Sequence, residues 1–156
     1  MPMKFITLLA PLALLLCTAC GPTVVYEQRY PVAESGWAYA DSLRYEFALP
    51  DTTQTYDFVL TVEHDEFFPY QNFYVLLHTG LPSGARSSQQ VSLQLAGEFG
   101  AWRGDCSGER CTREIEILRN ARFTSPGQYS LTVEQHSRDE PLTGIGAVGF
   151  RVQETE

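Results

Sequence analysis

Leu43-Arg44-Tyr45-Glu46-Phe47-Ala48-Leu49, closed by Pro50-Asp51-Thr52-Thr53 and followed by Tyr56, Phe58, Leu60 and Val62 at every second position, alternates apolar and polar side chains. Successive side chains of a strand point to opposite faces, so this stretch describes two half-buried strands joined by a Pro-Asp turn. The same period recurs on both sides of it. Val24, Tyr26 and Gln28 open an earlier strand that breaks near Pro31. Downstream, Phe73 to Leu77 is apolar on both faces, the mark of a strand inside a sheet. Gly80, Pro82, Ser83 and Gly84 then punctuate the chain. Further runs follow at Val91-Leu95, Ile115-Ile117, Tyr129-Val133 (after the turn Ser125-Pro126-Gly127) and Ile145-Val152. About eight short strands with turn signals between them, and no long amphipathic helix, predict an all-β fold. The expected form is a two-sheet antiparallel β-sandwich of jelly-roll or immunoglobulin-like type.

The N-terminus has a different character. Lys4 precedes an almost unbroken apolar run, Phe5 to Leu16, that ends in Cys17-Thr18-Ala19-Cys20. This is the layout of a secretory signal, and small residues just before a cysteine mark its lipoprotein form. Ala19 and Thr18 suit the small-residue pocket of the processing peptidase, which makes Cys20 the expected lipidated residue. Residues 1–19 are then a signal peptide and 20–156 a lipid-anchored domain. The run is shorter than the ~20 apolar residues that a membrane-crossing helix needs, and Pro11 interrupts it. Plain secretion and a retained helix are the weaker alternatives.

The chain of 156 residues carries a net charge of −8. Cleavage before Cys20 removes its one lysine, Lys4, and leaves ten arginines against 19 carboxylates, a net of −9. Without a basic block, nucleic acid is excluded as a partner, because such binding depends on neutralising phosphates. The same charge disfavours an electrostatic grip on anionic lipid and leaves the lipid on Cys20 as the membrane contact. Two further cysteines, Cys106 and Cys111, flank the polar turn Ser107-Gly108-Glu109-Arg110. A disulfide across a tight hairpin is favoured here over free thiols. It is also favoured over half of a zinc site, for which His64, His78 and His136 lack a paired spacing.

Motifs that carry catalysis are missing. The chain has no Gly-x-Ser-x-Gly elbow, no phosphate-binding glycine loop and no His-Glu-x-x-His. His64-Asp65-Glu66, at a strand end, reads as a solvated acidic turn. His136 to Glu140 reads as a polar connection, and nothing singles out two carboxylates for glycoside cleavage. A non-enzymatic protein is expected, with no catalytic residue, metal or cofactor.

The unusual segment is Phe67-Phe68-Pro69-Tyr70-Gln71-Asn72-Phe73-Tyr74, several aromatics around a proline at the mouth of a strand. One reading makes it a contact surface for a protein or a sugar ring. The other has Phe68 and Tyr70 capping the sandwich core, with Asn72 hydrogen-bonded to the loop backbone. Trp37 and Trp102, each in a glycine-bordered loop, pose the same choice between core and contact. Phe67, Phe68, Pro69, Tyr70, Asn72, Trp37 and Trp102 are therefore the candidate partner-binding residues.

These residues carry a resemblance. The lipobox is followed by Val25-Tyr26-Glu27, Gly36-Trp37, Asp51-Thr52-Thr53 and the aromatic-Pro-Tyr-x-Asn motif Phe68 to Asn72. The last third adds Phe123, Gly127-x-Tyr129, Glu134-Gln135, Arg138, Leu142, Gly144-Ile145 and Val148-Gly149. Together they resemble the GldH gliding-motility lipoproteins of Bacteroidetes over nearly the whole chain. Ser137 stands where that family often has Met and Phe68 where it often has Tyr, and the Cys106–Cys111 hairpin looks like a local addition. The resemblance implies an envelope lipoprotein needed for gliding and tied to type IX secretion, with other envelope proteins as partners and no known catalytic residue. A carbohydrate-binding envelope module is the alternative, and a hydrolase the third reading. Surface-exported lipoproteins of these bacteria tend to carry acidic residues just after the lipidated cysteine. Gly21-Pro22-Thr23 stands there instead, so the expected place is the outer membrane, facing the periplasm.

Overall fold

Among the described residues, nine strands form where alternating runs or returning turns put them. They are β1 (Val24–Pro31), β2 (Leu43–Leu49), β3 (Thr55–Asp65), β4 (Asn72–Gly80) and β5 (Arg86–Gln94), then β6 (Asp105–Ser107), β7 (Arg110–Arg122), β8 (Gly127–Gln135) and β9 (Ile145–Glu154). The structure, a computed structural model, describes residues 21–155; the expected signal peptide, residues 1–19, and Cys20 lie outside them. The strand beyond the expected eight is β6, the outer arm of the cysteine hairpin. Its three residues are all exposed, so it has no apolar alternation to read.

All pairings are antiparallel, in a five-stranded sheet of order β1-β9-β3-β7-β6 and a four-stranded sheet of order β2-β8-β4-β5. With β6 set aside, this is the jelly-roll arrangement, in which the chain repeatedly crosses from one sheet to the other. An immunoglobulin-type sandwich would put the first two strands in one sheet. Here β1 and β2 lie in opposite sheets. β4 sits between β8 and β5, the interior position its apolar run indicates, although its outer face is open at Tyr74.

The two sheets meet through rings. Phe47 from the four-stranded sheet and Phe58 and Phe150 from the other are mutually 5.4 Å apart and steeply inclined, the edge-to-face geometry that aromatic quadrupoles favour. Tyr45 is fully buried beside them, and its hydroxyl donates to Val148 O at 2.8 Å. One carboxylate, between Tyr56 and Phe58 on β3, is buried with partners. Asp57 Oδ1 accepts from Asn120 N at 2.7 Å and Thr155 Oγ1 at 3.0 Å, where the β3–β7 ladder is irregular.

The sandwich has two unlike ends. Gly21, Pro22 and Thr23 precede β1, and Thr23 O already accepts from Glu154 N at 2.8 Å. This N-terminal end also carries the β2–β3, β4–β5 and β7–β8 connections. At the other end, roughly 25 Å away along an eight-residue strand, all the remaining loops gather.

Candidate functional site

Four segments make the distal end: residues 32–42, 65–71, 95–110 (with the cysteine hairpin) and 136–144. Backbone hydrogen bonds bind them to one another. Trp37 and Leu142 exchange N–H and C=O at 2.8 and 2.9 Å, Asp65 N donates to Gly144 O at 2.8 Å, and Glu66 N donates to Glu109 O at 2.8 Å. Leu95 N and Ala96 N both donate to Gln71 O, and Trp102 Nε1 donates to Glu66 O at 3.0 Å.

Two of the seven candidate contact residues belong to the core. Trp37 is 1 % and Phe68 4 % exposed, and both rings stand edge-on to Phe73. The physical reason is that the end of a sandwich is open between its sheets until apolar side chains close it. Phe68 takes the capping role, packed over Gly144. A Cβ on Gly144 would lie 2.9 Å from Phe68 Cδ2, and its φ of +87° already favours glycine. Asn72 does not bond the loop backbone; its Nδ2 donates to Ser92 Oγ on β5 at 2.7 Å. Among the described residues, a cis peptide bond lies at Glu140–Pro141, in the fourth of these segments.

The other candidates face outward in varying degree. Phe67 is 79 % exposed, Pro69 is exposed, and Trp102 is half-buried. Tyr70 is held by its hydroxyl, which donates to Asp139 Oδ2 at 2.6 Å, and that carboxylate raises the phenol above its ordinary value. Tyr70, Asn72, Tyr74, Gln90, Arg138 and Asp139 border an open groove of about 560 Å³.

His64 departs from its reading as part of a solvated turn. It is fully buried, because β3 continues through Asp65 and the period of two carries Leu60 and Val62 inward to position 64. Its Nδ1 lies 2.9 Å from Asp65 O, and its ring sits 4.5 Å from Trp102. Nε2 finds no polar partner among the described residues. Burial pushes the imidazole below its ordinary value, so the ring is a neutral wall of the cap. Cys106 and Cys111 oppose each other in the β6–β7 hairpin and form a disulfide. Among the described residues, no group of three or more His, Cys, Asp or Glu side chains is placed to hold a metal ion.

The most exposed large apolar side chain lies outside the motifs read in the sequence. Phe99, in the turn Gly97-Glu98-Phe99-Gly100, is completely exposed and has φ +62°. The signal was a large apolar residue among glycines with no large apolar neighbour at strand spacing. Charge is also unevenly placed. The distal segments hold nine carboxylates and three arginines, a net of −6 out of the −9 of residues 20–156, whereas the loops of the opposite end hold one carboxylate, Asp51.

No helix among the described residues is long and apolar enough to cross a membrane. The sequence profile of the family described as GldH lipoprotein matches residues 24–152. The chain is 22% identical over 150 residues to the gliding motility lipoprotein GldH homolog of Christiangramia forsetii, covering 92% of this chain and 91% of that one. It is also 22% identical over 152 residues to the gliding motility lipoprotein GldH of Flavobacterium johnsoniae, covering 93% and 94%. No solved structure matches it. With the profile running from the start of β1 into β9, the chain belongs to the GldH family of gliding motility lipoproteins.

Proposed function

We propose that the protein is an assembly subunit of the gliding machinery and its associated type IX secretion apparatus. A lipid on Cys20 holds it at the outer membrane, facing the periplasm, and its distal loops engage other envelope proteins. The observation that carries this reading is the polarity of the domain. A tether of three residues, Gly21 to Thr23, meets the sheet at one end, and bare aromatic side chains stand at the other. So short a tether spans only about 10 Å, which keeps the domain against the membrane and turns its distal loops away from it.

Three measurements test the reading. Cys20→Ala is expected to move the protein from the membrane to the soluble fraction and to abolish spreading while the domain stays folded. Protease treatment of intact cells is expected to leave the domain uncut, and removal without lysis places it on the cell surface instead. Detergent extracts are expected to yield motility or secretion components with the tagged full-length protein. Binding to envelope polysaccharide in place of any protein would replace the reading with a carbohydrate-binding module.

A further inference from the structure

Phe99 contradicts two ordinary preferences at once. Its ring is completely exposed and contributes nothing to the core. Its backbone, at φ +62° and ψ +16°, lies in the left-handed region that a bulky L-residue avoids. The turn itself does not ask for phenylalanine. Gly97 N donates to Ala101 O at 2.7 Å and Gly100 N to Gly97 O at 3.2 Å, so glycine at position 99 would close the same loop without strain. A strained residue with no packing role points to a use for its side chain.

A second bare ring stands on the adjoining loop. Phe67, 79 % exposed, follows Glu66, whose carbonyl accepts from Trp102 Nε1, while Gln71 O binds the N–H groups of Leu95 and Ala96. The loops bearing Phe67 and Phe99 are thus fixed to each other, and both rings are presented on a braced base. Carboxylates accompany them. Glu66 and Glu98 are sequence neighbours of the two rings, Glu109 is bonded through its backbone to Glu66, and none of the three has an ion-pair partner among the described residues.

We infer that Phe67 and Phe99 are paired anchors for a protein partner whose contact surface is basic and offers apolar sockets for the two rings. This rests on the reading of the protein as an assembly subunit and names the chemistry of its docking face. Aromatic anchors in desolvated sockets supply most of the energy of such contacts, and the surrounding charge sets orientation and encounter rate. Complementarity selects the class of partner. Distal loops with a net of −6 are repelled by an anionic lipid surface, and the short tether turns them away from the membrane that holds the lipid.

The test uses the full-length, lipidated protein in cells that glide. A photoreactive phenylalanine analogue is placed at position 67, at 99 and, as a control, at Ser88 on the far part of β5. Positions 67 and 99 are expected to crosslink to one and the same envelope protein, at a segment rich in Lys or Arg. The F67S/F99S double variant is expected to lower recovery of that protein about tenfold or more, and raising salt from about 0.05 to 0.5 M is expected to slow association of the complex. Crosslinks to lipid or polysaccharide overturn the inference, as does an acidic contact segment or undiminished recovery with the double variant. Capture from Ser88 but not from 67 or 99 overturns it too, while leaving the assembly reading in place. Absence of any captured protein from all three positions removes both.

Discussion

Trp37 and Leu142 form a two-residue bridge, each donating its backbone N–H to the other's carbonyl at 2.8 and 2.9 Å, with both side chains fully buried. The bridge joins the β1–β2 connection to the β8–β9 connection, segments 105 positions apart, and so closes the sandwich at its distal end. The Trp37 indole adds a donor to Asp41 O at 2.7 Å, which satisfies its buried N–H. Trp37→Ala is expected to destabilise the domain by about 3–5 kcal/mol through the lost burial and the cavity left behind. Phe67→Ala, by contrast, is expected to stay within about 0.5 kcal/mol of the parent. Urea titrations of both variants check this, and equal losses would mean that Phe67 is part of the cap.

The disulfide makes a separate prediction. Cys106 and Cys111 close a loop of only six residues, so the chain-entropy account gives about 2 kcal/mol of stabilisation, near the bottom of the usual range. The paired Cys106→Ser and Cys111→Ser variant is expected to lose that amount and keep its fold, since the β3–β7 ladder holds β7 independently of β6. Chemical denaturation with and without reductant measures it. Global unfolding on reduction would give the hairpin a larger part in the fold than its exposed β6 arm suggests.

His64 ties stability to pH with a definite sign. Burial lowers its folded-state value, so below the ordinary imidazole range the unfolded chain takes up a proton that the folded chain refuses. Stability is therefore expected to be full near neutral pH and to fall as pH drops through about 6.5, by at most about 1.4 kcal/mol per pH unit from this one group. His64→Leu is expected to remove that part of the slope. Denaturation midpoints of parent and variant between pH 7.5 and 5.5 decide it, and parallel curves would show that the proton uptake belongs to another group.

The strands were legible because one face of each is buried. Period-two alternation reports that directly, as at Tyr45, Phe47 and Leu49, all buried, between exposed Arg44, Glu46 and Ala48. Even His64 obeys the period, and its chemical type alone suggested a solvated turn. The jelly-roll order was not legible, because crossing between sheets leaves the alternation of each strand unchanged. The site was harder still. Trp37, Phe67 and Phe68 are all aromatic residues in loops, and which of them points inward depends on how four separate segments close over one opening. Phe68 and Phe67 are sequence neighbours with opposite fates, 4 % and 79 % exposed.

Phe99 separates stability from function most sharply. Replacing it with glycine removes a bulky residue from the left-handed region, worth about 1–2 kcal/mol, and returns part of that as the extra backbone entropy of glycine in the unfolded chain. The net expectation for Phe99→Gly is a gain of about 0.5–1 kcal/mol, because the fully exposed ring takes no packing with it. Phe99→Ala keeps the strain and loses only the ring, so its stability is expected to match the parent. If the ring serves binding, both variants weaken partner recovery and motility although one of them is more stable. Stability and function then move in opposite directions at a single position, which a residue retained for the fold cannot do. Calorimetry on the isolated variants, paired with spreading assays on cells carrying them, reads both quantities. A destabilised Phe99→Gly would show that the ring packs in the folded state after all.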